Sequence, residues 1–233
     1  MILACNQPYF IPYIGYWQLV RDVDRFVVFD DVNYITGGWI NRNRILSPKL
    51  KYFNLPLLGA SQNKKINEIS IDTESLTSER LSRILHETYK KASFCSDIEP
   101  VTRELLYIDN ANLAGYLTEQ IRRVCDVLDI RTEILVSSQI EKNNDLKGKD
   151  KILEICSILG ADEYVNPIGG LELYHKEDFD EKGIRLNFLK ADLKPYGQFG
   201  EAFVPALSIL DVLMFCGIEG TKAQLNDYKL LDP

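Results

Sequence analysis

Two carboxylates stand side by side at Asp30-Asp31, directly after the apolar run Phe26-Val27-Val28-Phe29. A carboxylate within hydrogen-bond reach of a reacting group can take its proton, and a carboxylate pair can hold a metal ion. The same pair also suits turn formation and helix capping. Neighbouring residues of a strand point to opposite faces, so one of the two is expected to reach any site formed there. A second dense group is Trp39-Ile40-Asn41-Arg42-Asn43-Arg44. In an extended segment Arg42 and Arg44 share one side. Paired guanidinium groups can bind phosphate or carboxylate bidentately. Asn41 and Asn43 then alternate to the other side. The competing reading is a solvated edge strand whose charges deter pairing. Lys49, Lys51, Lys64 and Lys65 add positive charge or serve solubility.

Three further features could touch a ligand. Asn6-Gln7 offers amides just after the first apolar run. Gly169-Gly170, after Pro167, could bring backbone close to a ligand or form a plain turn. His175 is the one imidazole near it. The sequence contains neither a Walker A loop nor a GxGxxG fingerprint. Two histidines and five cysteines without a CxxC pair leave no zinc cluster of the usual spacing, so no metal is assigned. The thiols read as buried and reduced.

The elements that must position these groups alternate. Residues 2–5 predict a strand, 13–22 a helix and 25–30 a strand covered on both faces, which together form a βαβ unit. Strands are expected over 51–58 and 66–71, and helix over most of 75–112 with a break between Ser93 and Asp97. Then follow helix 113–128, strand 130–136, helix 151–159 with Gly160 as its cap, strand 163–165, helix 177–182 and strand 184–189. A last helix over 204–215 would carry Pro205 in its first turn. The pattern predicts an α/β fold: one domain spanning 1–233 around a mainly parallel, doubly wound (Rossmann-like) sheet, with an α+β insertion between about 36 and 110. Ligands of such sheets bind outside the carboxyl ends of the strands. The residues expected on that edge are Asn6-Gln7, Asp30-Asp31, Ser137-Ser138-Gln139, Asn166 to Gly170, and Lys190, Asp192 and Gln198.

Composition excludes several classes. With 45% hydrophobic residues the chain can bury a sizeable core, and no apolar run reaches membrane-spanning length. The start has no charged segment of the secretory kind, so a cytoplasmic protein is expected. Acidic residues outnumber basic ones 34 to 27, a balance that disfavours nucleic acid as a partner.

Five ordered segments resemble the WbqC-like family. The first, Asn6-Gln7-Pro8-Tyr9-Phe10-Ile11-Pro12-Tyr13-Ile14-Gly15-Tyr16, is similar to that family's His-Gln-Pro-x-Phe-x-Pro-x-x-Gly-Tyr opening. The others are residues 29–34, Trp39 with 41–45, residues 166–170 and residues 203–211. The resemblance implies a role in surface-polysaccharide (O-antigen) precursor synthesis: transfer of an aminoacyl group, such as glycine, or an acyl group onto an amino sugar, nucleotide-linked. Under that reading Arg42 and Arg44 hold phosphate or carboxylate, and Asp30 or Asp31 takes the proton of the attacking amine. Asn6, Gln7, Trp39, Asn41, Asn43, Gly169, Gly170 and His175 bind substrate. The acyl donor is left open between a carrier-protein or coenzyme thioester and an ATP-activated acid, and no cofactor is assigned. Asn6 stands where the family pattern has histidine, and an amide cannot act as a base or nucleophile. The opening unit also resembles nucleotidyltransferase-like proteins, although Ile14-Gly15-Tyr16 replaces their His-x-Gly-His. The alternatives are therefore nucleotidyl transfer, and a non-catalytic binding or scaffolding role in the same pathway.

Overall fold

The computed structural model describes residues 1–46, 50–200 and 202–232. Lys49, counted above among the basic residues, lies outside the described residues.

The opening unit forms as its pattern predicts. Strand β1 (Ile2–Asn6) leads through a proline-rich loop into helix α1 (Ile14–Asp22) and strand β2 (Arg25–Val28). Next come a hairpin, β3 (Arg42–Leu46) with β4 (Leu50–Asn54), and a short pair, β5 (Leu57–Leu58) with β6 (Ser70–Ile71). Helices α2 (Ser78–Tyr89), α3 (Cys95–Leu105) and α4 (Leu113–Val127) follow. The chain then runs through β7 (Glu133–Val136), α5 (Gly148–Leu159), β8 (Glu163–Pro167), α6 (Lys176–Asp180), β9 (Arg185–Ala191), α7 (Ile209–Gln224) and β10 (Tyr228–Leu231).

The result is a mixed α/β fold around a mostly parallel six-stranded sheet ordered β10-β9-β8-β1-β2-β7. Every neighbouring pair is parallel except β10 with β9. Strand alternation sends side chains to both faces. Ala4, Phe26, Val28 and Val165 join a core with α1, α4 and α7. Leu3, Cys5, Val27 and Tyr164 join another with Ile152, Ile155 and Cys156 of α5 and Phe179 of α6. Each fully buried aromatic or aliphatic side chain contributes about 1.5–3 kcal/mol, so both faces hold the sheet.

Three expectations needed correction. The single strand over 51–58 divides at Leu55-Pro56, because proline cannot donate to a ladder. The strand over 66–71 is a 3-10 turn at Ile66–Glu68 followed by the short β6. The last helix starts at Ile209, not Val204, with Ser208 capping Leu210 N–H. Residues ahead of it are held away from helix by side chains: Gln198 pairs with both backbone groups of Val204, and Arg44 donates to the carbonyls of Pro205 and Ala206.

Candidate active site at the carboxyl edge of the sheet

The parallel strands β1, β2 and β7 end together, at Asn6, Val28 and Val136. Phe29 N–H still reaches Asn6 O at 2.8 Å, so Asp30 and Asp31 leave the sheet at its carboxyl edge. Both are buried, and they face different surroundings.

Asp31 meets two ammonium groups. Lys142 Nζ and Lys151 Nζ each lie 3.0 Å from its Oδ2, and Ser137 Oγ donates to Oδ1 at 2.7 Å. The side chains of Lys142, Lys151 and Asp31 are 0%, 4% and 4% exposed, so these charges meet with little solvent between them. Burial acts to raise the Asp31 carboxyl. The donors Ser137, Lys142 and Lys151 more than offset this and hold it below its usual range. Lys142 also donates to the carbonyls of Ser137 and Ile140, which ties the turn after β7 to the end of β2.

Asp30 meets no cation among the described residues. Ser138 N–H and Oγ donate to its two oxygens at 2.9 and 2.6 Å, and Asn67 Nδ2 donates at 3.2 Å. Asp30 forms part of the wall of a cavity of about 610 Å³ between the ends of β2 and β7 and the start of α4, beside Asn67, Asn112, Ser138 and Gln139. Asp31 belongs instead to a separate cavity of about 450 Å³ with Gln7 and Lys151. The alternation expected from the sequence therefore separates the pair into two compartments.

The other predicted residues divide between chemistry and architecture. Asn6 Oδ1 accepts Gln7 N–H at 2.9 Å and turns the chain as it leaves β1. Arg42 and Arg44 share a face of β3, as expected. The Arg42 guanidinium sits 4.5 Å from the Tyr52 ring centre and 6.0 Å from that of Trp39, and the Arg44 guanidinium 5.7 Å from that of Trp39. Arg42 donates to the carbonyls of Gly37 and Gly38. Arg42 borders one cavity with Asn41, while Arg44, Trp39 and Asn43 border another; neither contains Asp30 or Asp31. Asn41 is engaged with Leu55 O and Tyr34 Oη, both at 2.8 Å.

Asn43 is buried and donates to Phe10 O at 3.0 Å and Ile11 O at 2.7 Å. Ile11 has φ 43°, an uncommon conformation for a β-branched residue. Ser208 Oγ and Gln120 Oε1 complete its support at 2.8 and 3.0 Å. Gly170 is buried against Asn166, whose side-chain amide would have to shift to admit a Cβ there. Gly169 and His175 are exposed, and neither lines the cavities of Asp30 and Asp31.

Sequence reasoning missed Lys142, Lys151 and Asn67 as members of this edge. One signal was available: Lys151 lies four residues before Ile155 on a helix, which places a charge on the buried stripe. Burial pushes all five thiols up, Cys125 and Cys156 to about 12, so none stands ready as a thiolate nucleophile. Away from the edge, His86, Cys95 and Glu99 bring ligand atoms within 4.8 Å of one another, a grouping not anticipated above. Glu99 is already engaged by Arg103 at 2.8 Å and His86 at 3.1 Å.

These features define an α/β protein with a polar, charge-partitioned carboxyl edge. The family model of the WbqC-like protein family matches residues 7–223, and the chain belongs to that family. It is 30% identical over 222 residues to the uncharacterized protein Rv1507c of Mycobacterium tuberculosis (strain ATCC 25618 / H37Rv), covering 93% of this chain and 94% of that protein. No solved structure matches. Among the described residues, no helix is long and apolar enough to cross a membrane.

Proposed function

We propose that the chain is a cytoplasmic transferase of surface-polysaccharide precursor assembly, moving an aminoacyl or acyl group onto the amine of a nucleotide-linked amino sugar. The observation that carries this reading is Asp30. It is buried, oriented by Ser138 and Asn67, paired with no cation among the described residues, and open to a polar cavity. An attacking amine forms the new N–C bond, sheds one proton and expels the donor's leaving group. Asp30 is the group to receive that proton. Asp31, already committed to two ammonium groups and a hydroxyl, is assigned to holding the edge together. Arg42 and Arg44 are proposed as contacts for an anionic group on the β3 face, apart from the proton transfer.

The strand order supports a Rossmann-like reading within one domain. Numbered by their order in the chain, the six strands run 3-2-1-4-5-6 from the β7 edge, as in doubly wound nucleotide-binding folds. Residues 36–110 then elaborate the connection between the second and third strands. Asn6, in place of an imidazole, favours a second reading, a binding protein of the same pathway without turnover.

Incubation of the protein with nucleotide amino sugars, candidate acyl donors and ATP, read by mass spectrometry, separates these readings. A mass gain on the sugar supports transfer. Pyrophosphate release without it supports nucleotidyl chemistry. Protection against heating by the sugar nucleotide, with no product, leaves binding alone.

A further inference from the structure

The triad behind Asp31 holds two ammonium groups against one carboxylate, and the next buried carboxylate, Asp30, lines a different cavity. Lys142 and Lys151 bring two positive charges and Asp31 one negative, all nearly excluded from solvent. Buried charge is costly unless compensated. Lys142 has an acceptor for each of its donors: Asp31 Oδ2 and the carbonyls of Ser137 and Ile140. Lys151 differs. Both of its hydrogen bonds go to Asp31, at 3.0 Å to Oδ2 and 3.4 Å to the carbonyl oxygen, and its Nζ lies 5.9 Å from the centre of the Phe29 ring on the cavity wall. An ammonium has three donors, so one has no acceptor among the described residues. Lys151 lines the cavity of about 450 Å³ at the carboxyl edge.

The rest of that cavity has the same sign. Lys65 and Lys147 also line it, and Asp31 is the one acidic residue in the described lining. This is a positive recess in a chain whose formal charge is −7. Lys147 and Gly148 begin the 12-residue helix α5, and no side chain caps that helix start. Gly148, at φ 52°, has open space where a Cβ would stand. Val32, Leu146 and the 51% exposed Ile35 supply an apolar wall beside the charges.

We propose that this cavity is a nucleoside-diphosphate site. The diphosphate lies against Lys151, Lys147, Lys65 and the α5 start, and the base lies on the Ile35 wall. Its negative charge compensates the excess ammonium of the triad. The inference deepens the transferase reading by saying where a nucleotide-linked substrate is anchored, yet its test reads binding alone.

The test is calorimetric titration of the full chain with UDP, ADP, inorganic pyrophosphate and uridine. UDP or ADP should bind one to one, pyrophosphate should compete, and uridine should bind at least tenfold more weakly than UDP. The double substitution Lys65→Ala and Lys147→Ala removes one half-buried and one exposed charge, neither of them in an ion pair among the described residues. It should weaken nucleotide binding at least tenfold while leaving the unfolding midpoint unchanged. Undiminished binding by that variant, uridine binding equal to UDP, or no heat from any phosphate at millimolar concentration would each overturn the site. Nucleotide binding without sugar modification removes the transferase and keeps the site. Turnover that pyrophosphate does not inhibit removes the site and keeps the transferase.

Discussion

Asp30 and Asp31 are chemically identical neighbours, yet the fold gives them opposite surroundings. Asp31 is locked to two lysines and a serine, and Asp30 is held by amide and hydroxyl groups beside an open cavity. Strand-like alternation at the end of β2 produces the separation. Each carboxylate accepts from three donors, and the difference is charge: two of the donors to Asp31 are ammonium groups, and those to Asp30 are all neutral.

The largest way to break the comparison is Asp31→Asn, which strands two buried ammonium groups. Urea unfolding should show a loss of about 3–5 kcal/mol. A change below about 1 kcal/mol would mean the lysines find other partners. Asp30→Asn comes next. It cannot take a proton and replaces one acceptor oxygen by a donor, so the transfer assay should show turnover down about 10²-fold or more, with a stability loss of about 1–3 kcal/mol that leaves the variant folded. Asn43→Ala follows, at about 1–3 kcal/mol, because it leaves the carbonyls of the strained Phe10-Ile11 turn short of a donor. Arg42→Ala should be smallest, about 0.5–1 kcal/mol in urea unfolding, since its stacking on Tyr52 is partly solvated.

A third carboxylate sharpens the contrast through pH. Asp211 is buried and accepts from Tyr89 at 2.8 Å, Tyr196 at 2.7 Å and Gln198 at 3.0 Å. Burial pushes its carboxyl up, and the three donors only partly counter that. Asp31 is shifted the other way. A carboxylate lowered in the fold stabilises above its unfolded pKa of about 3.9, and that contribution is lost as pH falls through the folded value. A raised carboxylate gains stability on the way down, between its folded value and about 3.9. The deficit of Asp31→Asn relative to the parent should therefore narrow on acidification below about pH 4. That of Asp211→Asn should widen above it. Unfolding curves across this range check both signs, and matching trends would contradict the assigned shifts.

Local patterns were legible where one helix or strand carried its own signal. The opening strand–helix–strand, the amphipathic α4 and the parallel pairing follow from period and punctuation. The alternation of Asp30 with Asp31, and of Arg42 with Asn43, was legible for the same reason. Partners distant in sequence were not. Lys142 and Lys151 reach Asp31 across more than a hundred residues, and the one local signal, a lysine on the buried stripe of α5, does not name its partner. Strand β10, only four residues long, was not read from the sequence, and its ladder comes from β9, nearly forty residues earlier. The late start of α7 depends on Gln198 and Arg44 capturing the backbone ahead of it. For Asn41 and Asn43 the local sequence shows an amide's chemistry and not that the carbonyls of Leu55, Phe10 and Ile11 engage it.

Asp30, and not Asp31, is proposed to take the proton in transfer to an amino sugar. The most direct measurement is the rate of acylated sugar formation, by mass spectrometry, for the parent and Asp30→Asn at saturating nucleotide amino sugar, with folding of the variant verified by its unfolding midpoint. Asp30→Asn should fold, and its product rate should fall about 10²-fold or more. A folded Asp30→Asn that forms product at the parental rate would contradict it.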